Sequence, residues 1–139
     1  ALDGAQLAAL SSSQVVALST AQVAAIDAAD IGKLGKIQLS ALTTPQIAAL
    51  DDEQLAALSG KQLSTLSALQ LQALSTAQMQ ALDPGDIAML KIAQLQAFSV
   101  EQLNALDGAQ QAALTMKQYM ALDGAHQDAL DITLVGIGG

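Results

Sequence analysis

The sequence has no cysteine, no tryptophan and no arginine, and a single phenylalanine, tyrosine and histidine in 139 residues. Each shortage closes off a class of protein. Without cysteine there is no disulfide framework and no thiolate metal site, a composition compatible with either redox environment. Five lysines against 13 acidic residues leave a net charge of −8. That is the wrong sign for a surface that neutralises phosphates, so no nucleic acid is expected as a partner. The shortage of cations also weighs against a helix lying on anionic lipid. No apolar run nears the roughly 18 residues of a membrane span, and no membrane insertion is expected. A nucleophilic or acid–base centre usually needs histidine beside its partner, yet His126 stands alone and no GxSxG or phosphate-loop pattern occurs. The chain is read as no enzyme, with no cofactor.

What remains is aliphatic. The composition is 52% hydrophobic, nearly all of it Ala, Leu, Ile, Val and Met, which suits thin and closely spaced layers. Written in blocks of eight from Ala1, the chain stays in register to Gly136: ALDGAQLA, ALSSSQVV, ALSTAQVA, AIDAADIG and onward to ALDITLVG. The second place of each block is Leu except at Ile26 and Phe98, and the seventh is aliphatic in nearly every block. These two columns are the expected core.

A continuous helix cannot use this pattern. At about 100° per residue, eight residues shift the apolar column by roughly 80° per block, so it would soon circle the helix. A flat strand would send places two and seven to opposite faces. Something must break the chain in every block, and the third place shows what does.

That place holds Ser, Thr or Asp in all blocks but those of Gly35 and Lys91, usually with Gln three residues on. The pattern is a repeated capping box, in which the third residue accepts from the backbone N–H of the sixth and Gln reaches back to the cap's own N–H. Expected caps are Ser11, Ser19, Asp27, Thr43, Asp51, Ser59, Ser67, Ser75, Asp83, Ser99 and Asp107. Their expected partners include Gln14, Gln22, Gln46, Gln54, Gln62, Gln70, Gln78 and Gln102. Pro84 falls in the first helical place and Pro45 one further on, where a missing N–H costs little. His126 occupies the glutamine column and reads as a stand-in for it. The column could also form an amide ladder between stacked turns.

Each octad is then a helix of about seven residues with a one-residue link, too short to stand without neighbours. Sharp corners would coil the chain into an all-α solenoid of about 17 very short helices. The expected division is a solenoid over 1–130 and a short extended C-terminal tail over 131–139. Ser19-Thr20-Ala21-Gln22 recurs as Ser75-Thr76-Ala77-Gln78, Asp30 as Asp86 and Lys61 as Lys117, all 56 residues apart. A coil of about 3.5 repeats per turn would explain this spacing, as two turns per seven octads; so would duplication of a 56-residue block without geometric meaning.

Asp51-Asp52-Glu53 and the recurring Asp caps could form an acidic edge that binds divalent cations weakly, although neither an EF-hand nor a GGxGxD spacing is present. The first block is an ordinary internal unit without a polar terminal cap. It reads as part of a longer array, or as the face on which identical subunits stack head to tail into filaments.

The runs ALSTAQVAAI, ALTTPQIAAL and ALSTAQMQAL resemble the ALTTAQI-type octapeptide arrays of long, secreted bacterial surface proteins, over nearly the whole chain. DITLVGIGG is similar to the ITLVG stretch near the ends of some type I secreted proteins. The resemblance implies an extracellular or cell-surface structural protein, polymer subunit or stalk, and carries over no catalytic residue. The alternative expectation is a solenoid binding module, an adhesin for peptide or glycan, though Tyr119 is the only aromatic of the kind that usually anchors such surfaces.

Overall fold

A computed structural model describes residues 3–130, so the expected tail lies outside the described residues. The described chain is all-helical, with one short helix per octad. The first four are α1 (Gly4–Ala8), α2 (Ser12–Val16), α3 (Thr20–Ala24) and α4 (Ala28–Ile31). There follow α5 (Lys36–Ala41), α6 (Thr44–Ala48), α7 (Asp52–Ala57), α8 (Gly60–Leu63), α9 (Ala68–Gln72) and α10 (Thr76–Ala81). The last six are α11 (Pro84–Ile87), α12 (Ile92–Ala97), α13 (Val100–Asn104), α14 (Gly108–Ala113), α15 (Met116–Met120) and α16 (Gly124–Asp128).

These helices are shorter than the pattern predicts, four to six residues rather than about seven. The reason lies at place two. Its Leu and the aliphatic residue at place seven can enter one core only if the backbone turns between them, and the chain does so by leaving the helix at the Leu. Leu58 has φ −68° and ψ 133°, and the cap after it, Ser59, has φ −80° and ψ 163°. Leu42, Leu82, Phe98 and Leu114 do the same, so two extended residues form these corners, not the one-residue link expected. The helix end is tightened as it leaves, for the N–H of Leu18 donates to the carbonyl of Val15 at 3.1 Å, a three-residue bond that occupies an otherwise orphaned acceptor.

The core is the pair of columns read from the sequence. Val23, Leu71, Met79, Leu103 and Leu114 are fully buried, and the place-two residues from Ile26 to Leu130 line the same interior. Burying each such side chain contributes about 2 kcal/mol, which supplies the stability that a single-turn helix lacks.

Coiling follows from the corners. Every pair of helices with substantial contact is three octads apart, as in α1 with α4, α4 with α7 and α11 with α14. Side-chain bonds between successive turns join residues 25 to 31 apart, and the separation of 28 recurs along the whole coil. One turn thus takes about 3.5 octads. Each helix lies over the corner joining two helices of the turn below. The 56-residue super-repeat is two turns of this coil, so its geometric meaning, left open by the sequence, is present in the fold.

Candidate functional site

The glutamine column is the most heavily used chemistry in the molecule. Its first duty is local. The hydroxyl of Ser67 accepts from the N–H of Gln70 at 3.2 Å while Oε1 of Gln70 accepts from the N–H of Ser67 at 2.9 Å. The same reciprocal box closes at Ser11, Ser19, Thr43, Asp51, Ser59, Ser75, Ser99 and Asp107 with Gln14, Gln22, Gln46, Gln54, Gln62, Gln78, Gln102 and Gln110. Asp3, Thr115 and their glutamines Gln6 and Gln118 complete the set.

Two expected caps behave differently. Asp27 stands at the N-cap of α4 but its side chain accepts no helix N–H; its octad has Asp30 where the partner glutamine would be. Asp83 accepts from Gly85 at 2.9 Å instead of from the sixth place, because Pro84 starts the helix without an N–H and Asp86 replaces the glutamine. Gly35 and Lys91, the two exceptions to the cap rule, open the octads that follow, and there Gln38 and Gln94 make only the return bond to the cap N–H.

The second duty reaches across the coil. Nε2 of Gln46 donates to the carbonyls of Val15 and Leu18, both at 2.8 Å, and Nε2 of Gln110 to those of Met79 and Leu82 at 2.6 and 2.8 Å. Every glutamine of the column from Gln38 to Gln118 holds at least two carbonyls of the preceding turn in this way. The carbonyls belong to the last helical residues of one octad, such as Val15 and Met79, which already accept one bond from the corner N–H that follows, and to the corner Leu of the next, beyond the end of the helix. One amide thus uses its oxygen within its own octad and both N–H groups on the corner below, and Gln54 and Gln110 are essentially inaccessible to solvent. Among the described residues no buried side-chain polar atom is unsatisfied. The bonds run from amide to backbone, not from amide to amide as a side-chain ladder would.

In the first turn the same residue has half the task. Gln6, Gln14 and Gln22 close their boxes but are exposed, and their Nε2 groups have no acceptor among the described residues. His126 takes the glutamine place in α16 and also reaches back 28 residues, with Nε2 2.8 Å from the carbonyl of Phe98. Its Nδ1 lies 2.6 Å from the carboxylate of Asp123. That side-chain bond holds the imidazole above its ordinary range, against the pull of burial. Asp123 is held below the usual carboxylate range, chiefly by the backbone N–H of His126 and then by its ring.

Where Asp replaces Gln, the turn below carries glycine. Gly4 lies under Asp30 and Lys33, and Gly60 under Met89. A Cβ on Gly60 would sit within 3.0 Å of three Met89 side-chain atoms, so the exchange of Gln for Asp and the small residue below it belong to one contact. Burial raises the Asp86 carboxyl, the charge of Asp83 adds to the rise, and the donated N–H of Gly60 opposes both.

Chemistry beyond packing is sparse. Asp51, Asp52 and Glu53 line an exposed hollow at the start of α7. Among the described residues no three carboxylate or imidazole groups converge as metal ligands, and no helix is long and apolar enough to cross a membrane. A shallow groove of 740 Å³ between α2 and α5 is lined by Ser12, Ser13, Val16, Lys36, Ile37 and Ser40.

Comparison with known proteins agrees with this geometry in one respect and adds nothing on activity. No curated protein and no solved structure matches the chain. The family model of the ALTTAQ repeat matches residues 1–36, 23–60 and 79–116, well over half of the sequence. With its octads, their boxed caps and the glutamine that joins each turn to the one before, the chain belongs to the ALTTAQ repeat family.

Proposed function

We propose that this chain is a structural protein of the bacterial exterior, one that assembles end to end into a filament or spans length as a stalk segment. The observation that carries the reading is the glutamine clamp, by which each turn holds the one before it with the same contact. Gln38, Gln46 and Gln54 hold the corners of the preceding turn through one and the same amide contact, which repeats along the coil. A contact of that kind accepts another turn of the same array, and a head-to-tail contact of one face on its complement repeats without closing. Each junction would bury three donors and the carbonyls they hold, and add an apolar layer to the column of Leu7, Val15 and Val23.

A second reading as a binding module draws on the groove between α2 and α5, where Val16 and Ile37 stay 51% and 65% exposed. An apolar peptide segment fits that lining better than a glycan, which would want aromatic faces.

Electron microscopy of the purified chain, paired with sedimentation velocity across a concentration series, tests the first reading. Unbranched filaments or end-joined oligomers are expected, and they should be lost when Gln6, Gln14 and Gln22 are all changed to Glu. A chain that stays monomeric at high concentration would remove the filament, and saturable binding of a peptide array by that monomer would favour the module.

A further inference from the structure

The charged side chains are not scattered around the coil. Counted by place along a 28-residue turn, Lys33, Lys61 and Lys117 stand at place 5, Lys91 at 7 and Lys36 at 8. All five lysines therefore lie on one narrow strip running along the coil. The geometry agrees, since Lys36 and Lys61 line one groove and Lys36 and Lys91 line another that spans the turns between them.

The acids occupy the neighbouring strip. Asp51 and Asp107 stand at place 23, Asp52 at 24, Glu53 at 25, Asp27 and Asp83 at 27, Asp30 and Asp86 at 2 and Asp3 at 3. Of the described acids, only Glu101, Asp123 and Asp128 fall elsewhere. The two strips abut, and across their border Lys33 and Asp30 form an ion pair at 3.5 Å. It is the only lysine–carboxylate pair among the described residues. Lys36, Lys61, Lys91 and Lys117 are exposed and lack a carboxylate partner among the described residues.

Of the seven large exposed apolar side chains, Met116 and Met89 sit at this border and Met120 and Ile37 at the far edge of the lysine strip, while Leu69 stands at place 13 and Val16 and Val100 at 16. Met116 stands at place 4, Met89 at 5, Met120 at 8 and Ile37 at 9, between 47% and 66% exposed, and none of the exposed large hydrophobics lies on the acidic strip. An apolar seam flanked by opposite charges has the anatomy of a protein interface, with a water-excluding centre and a polar rim.

The geometry points to lateral pairing of this coil with a second copy of itself, the two lying side by side and parallel. A two-fold axis running along the border, parallel to both coils, places the lysine strip of each copy against the acidic strip of the other. The methionines of both then meet at the axis. An antiparallel pair would set acid against acid. Both strips arise from one coil and share its pitch, so the match extends over any number of turns, and many weak contacts add along the length. The hydroxyls in the lysine groove do not compete for the role, since Ser64 and Thr65 already donate to the carbonyls of Lys61 and Gln62. This contact lies on the flank, so it holds or fails independently of end-to-end assembly.

The absence of native cysteine makes the test direct. Met89→Cys and Met116→Cys should each give a disulfide-linked dimer under mild oxidation at about 20 mM salt. Cross-linking should fall at least tenfold at about 500 mM salt, where exposed charge pairs are screened. Ser13→Cys, on the lysine-free flank at place 13, should cross-link at least tenfold less. Adding Lys36→Glu, Lys61→Glu and Lys91→Glu should abolish the dimer with the helical circular dichroism unchanged. Cross-linking of Met89→Cys no faster than Ser13→Cys would overturn the pairing, as would insensitivity to salt. So would a monomer whose lysine strip binds phosphatidylglycerol vesicles in place of a second copy.

Discussion

The first turn and the middle turns are built from the same octad, yet their glutamines live in different surroundings. Gln14 and Gln22 are exposed and serve only their own helix starts, whereas Gln54 and Gln102 are buried and also hold the corner of the turn before. Sequence, cap and helix are alike in both regions; only the presence of a turn below differs. Local bonding therefore defines the octad, and stability comes from the contact between turns.

Core truncation should break the comparison most. Leu71→Ala removes a side chain with no exposure and should cost about 3 kcal/mol, while Leu18→Ala, at a half-buried place in the first turn, should cost about 1 kcal/mol. Urea unfolding of the two variants measures the difference. Next comes the clamp itself. Gln102→Leu loses a capping bond, leaves the buried Leu74 carbonyl without its donor and takes one of two donors from the Leu71 carbonyl, for about 2 kcal/mol, whereas Gln22→Leu loses the return bond alone, for about 0.5 kcal/mol. Equal thermal midpoints for the two would remove the clamp from the account. Caps should then erase the contrast, with Ser19→Ala and Ser67→Ala each costing about 1 kcal/mol, because the hydroxyl bond is local in both turns.

The smallest effect is titratable. The folded-state pKa of His126 is raised above 6.5, so the stability from its bonds to Asp123 and Phe98 is complete below that value and fades as pH rises through the raised one. Asp123 is lowered below 3.8, and its share is lost as pH falls through the lowered value. Between those limits the last described turn is held best. Comparing thermal midpoints of the native chain and His126→Gln across this range should show the native chain losing ground only on the alkaline and acid sides. A difference independent of pH would contradict the assignment.

The caps were legible because both partners of a box lie three residues apart, and the core because its two columns recur every eight. The clamp was not, since its acceptors are backbone carbonyls 28 and 31 residues away, and a carbonyl has no residue signature. The 56-residue recurrence did carry the pitch, but only contacts between turns distinguish a coil from a mere duplication. Helix length was overread because Ala at place one and Leu at place two are good helix formers, and burial of that Leu at an extended corner overrides the preference. Asp27 and Asp83 share the cap column with ordinary caps, yet the missing glutamine in each octad marks the places where Gly4 and Gly60 lie below.

Hydrogen exchange of the glutamine side-chain amides, followed by NMR, tests the central contact most directly. The Nε2 protons of Gln54, Gln70 and Gln102 should exchange slowly and together with the core backbone, and those of Gln6, Gln14 and Gln22 at rates near the free side chain in the monomeric protein. Uniformly fast exchange along the whole column would contradict the clamp and with it the account of how one turn holds the next.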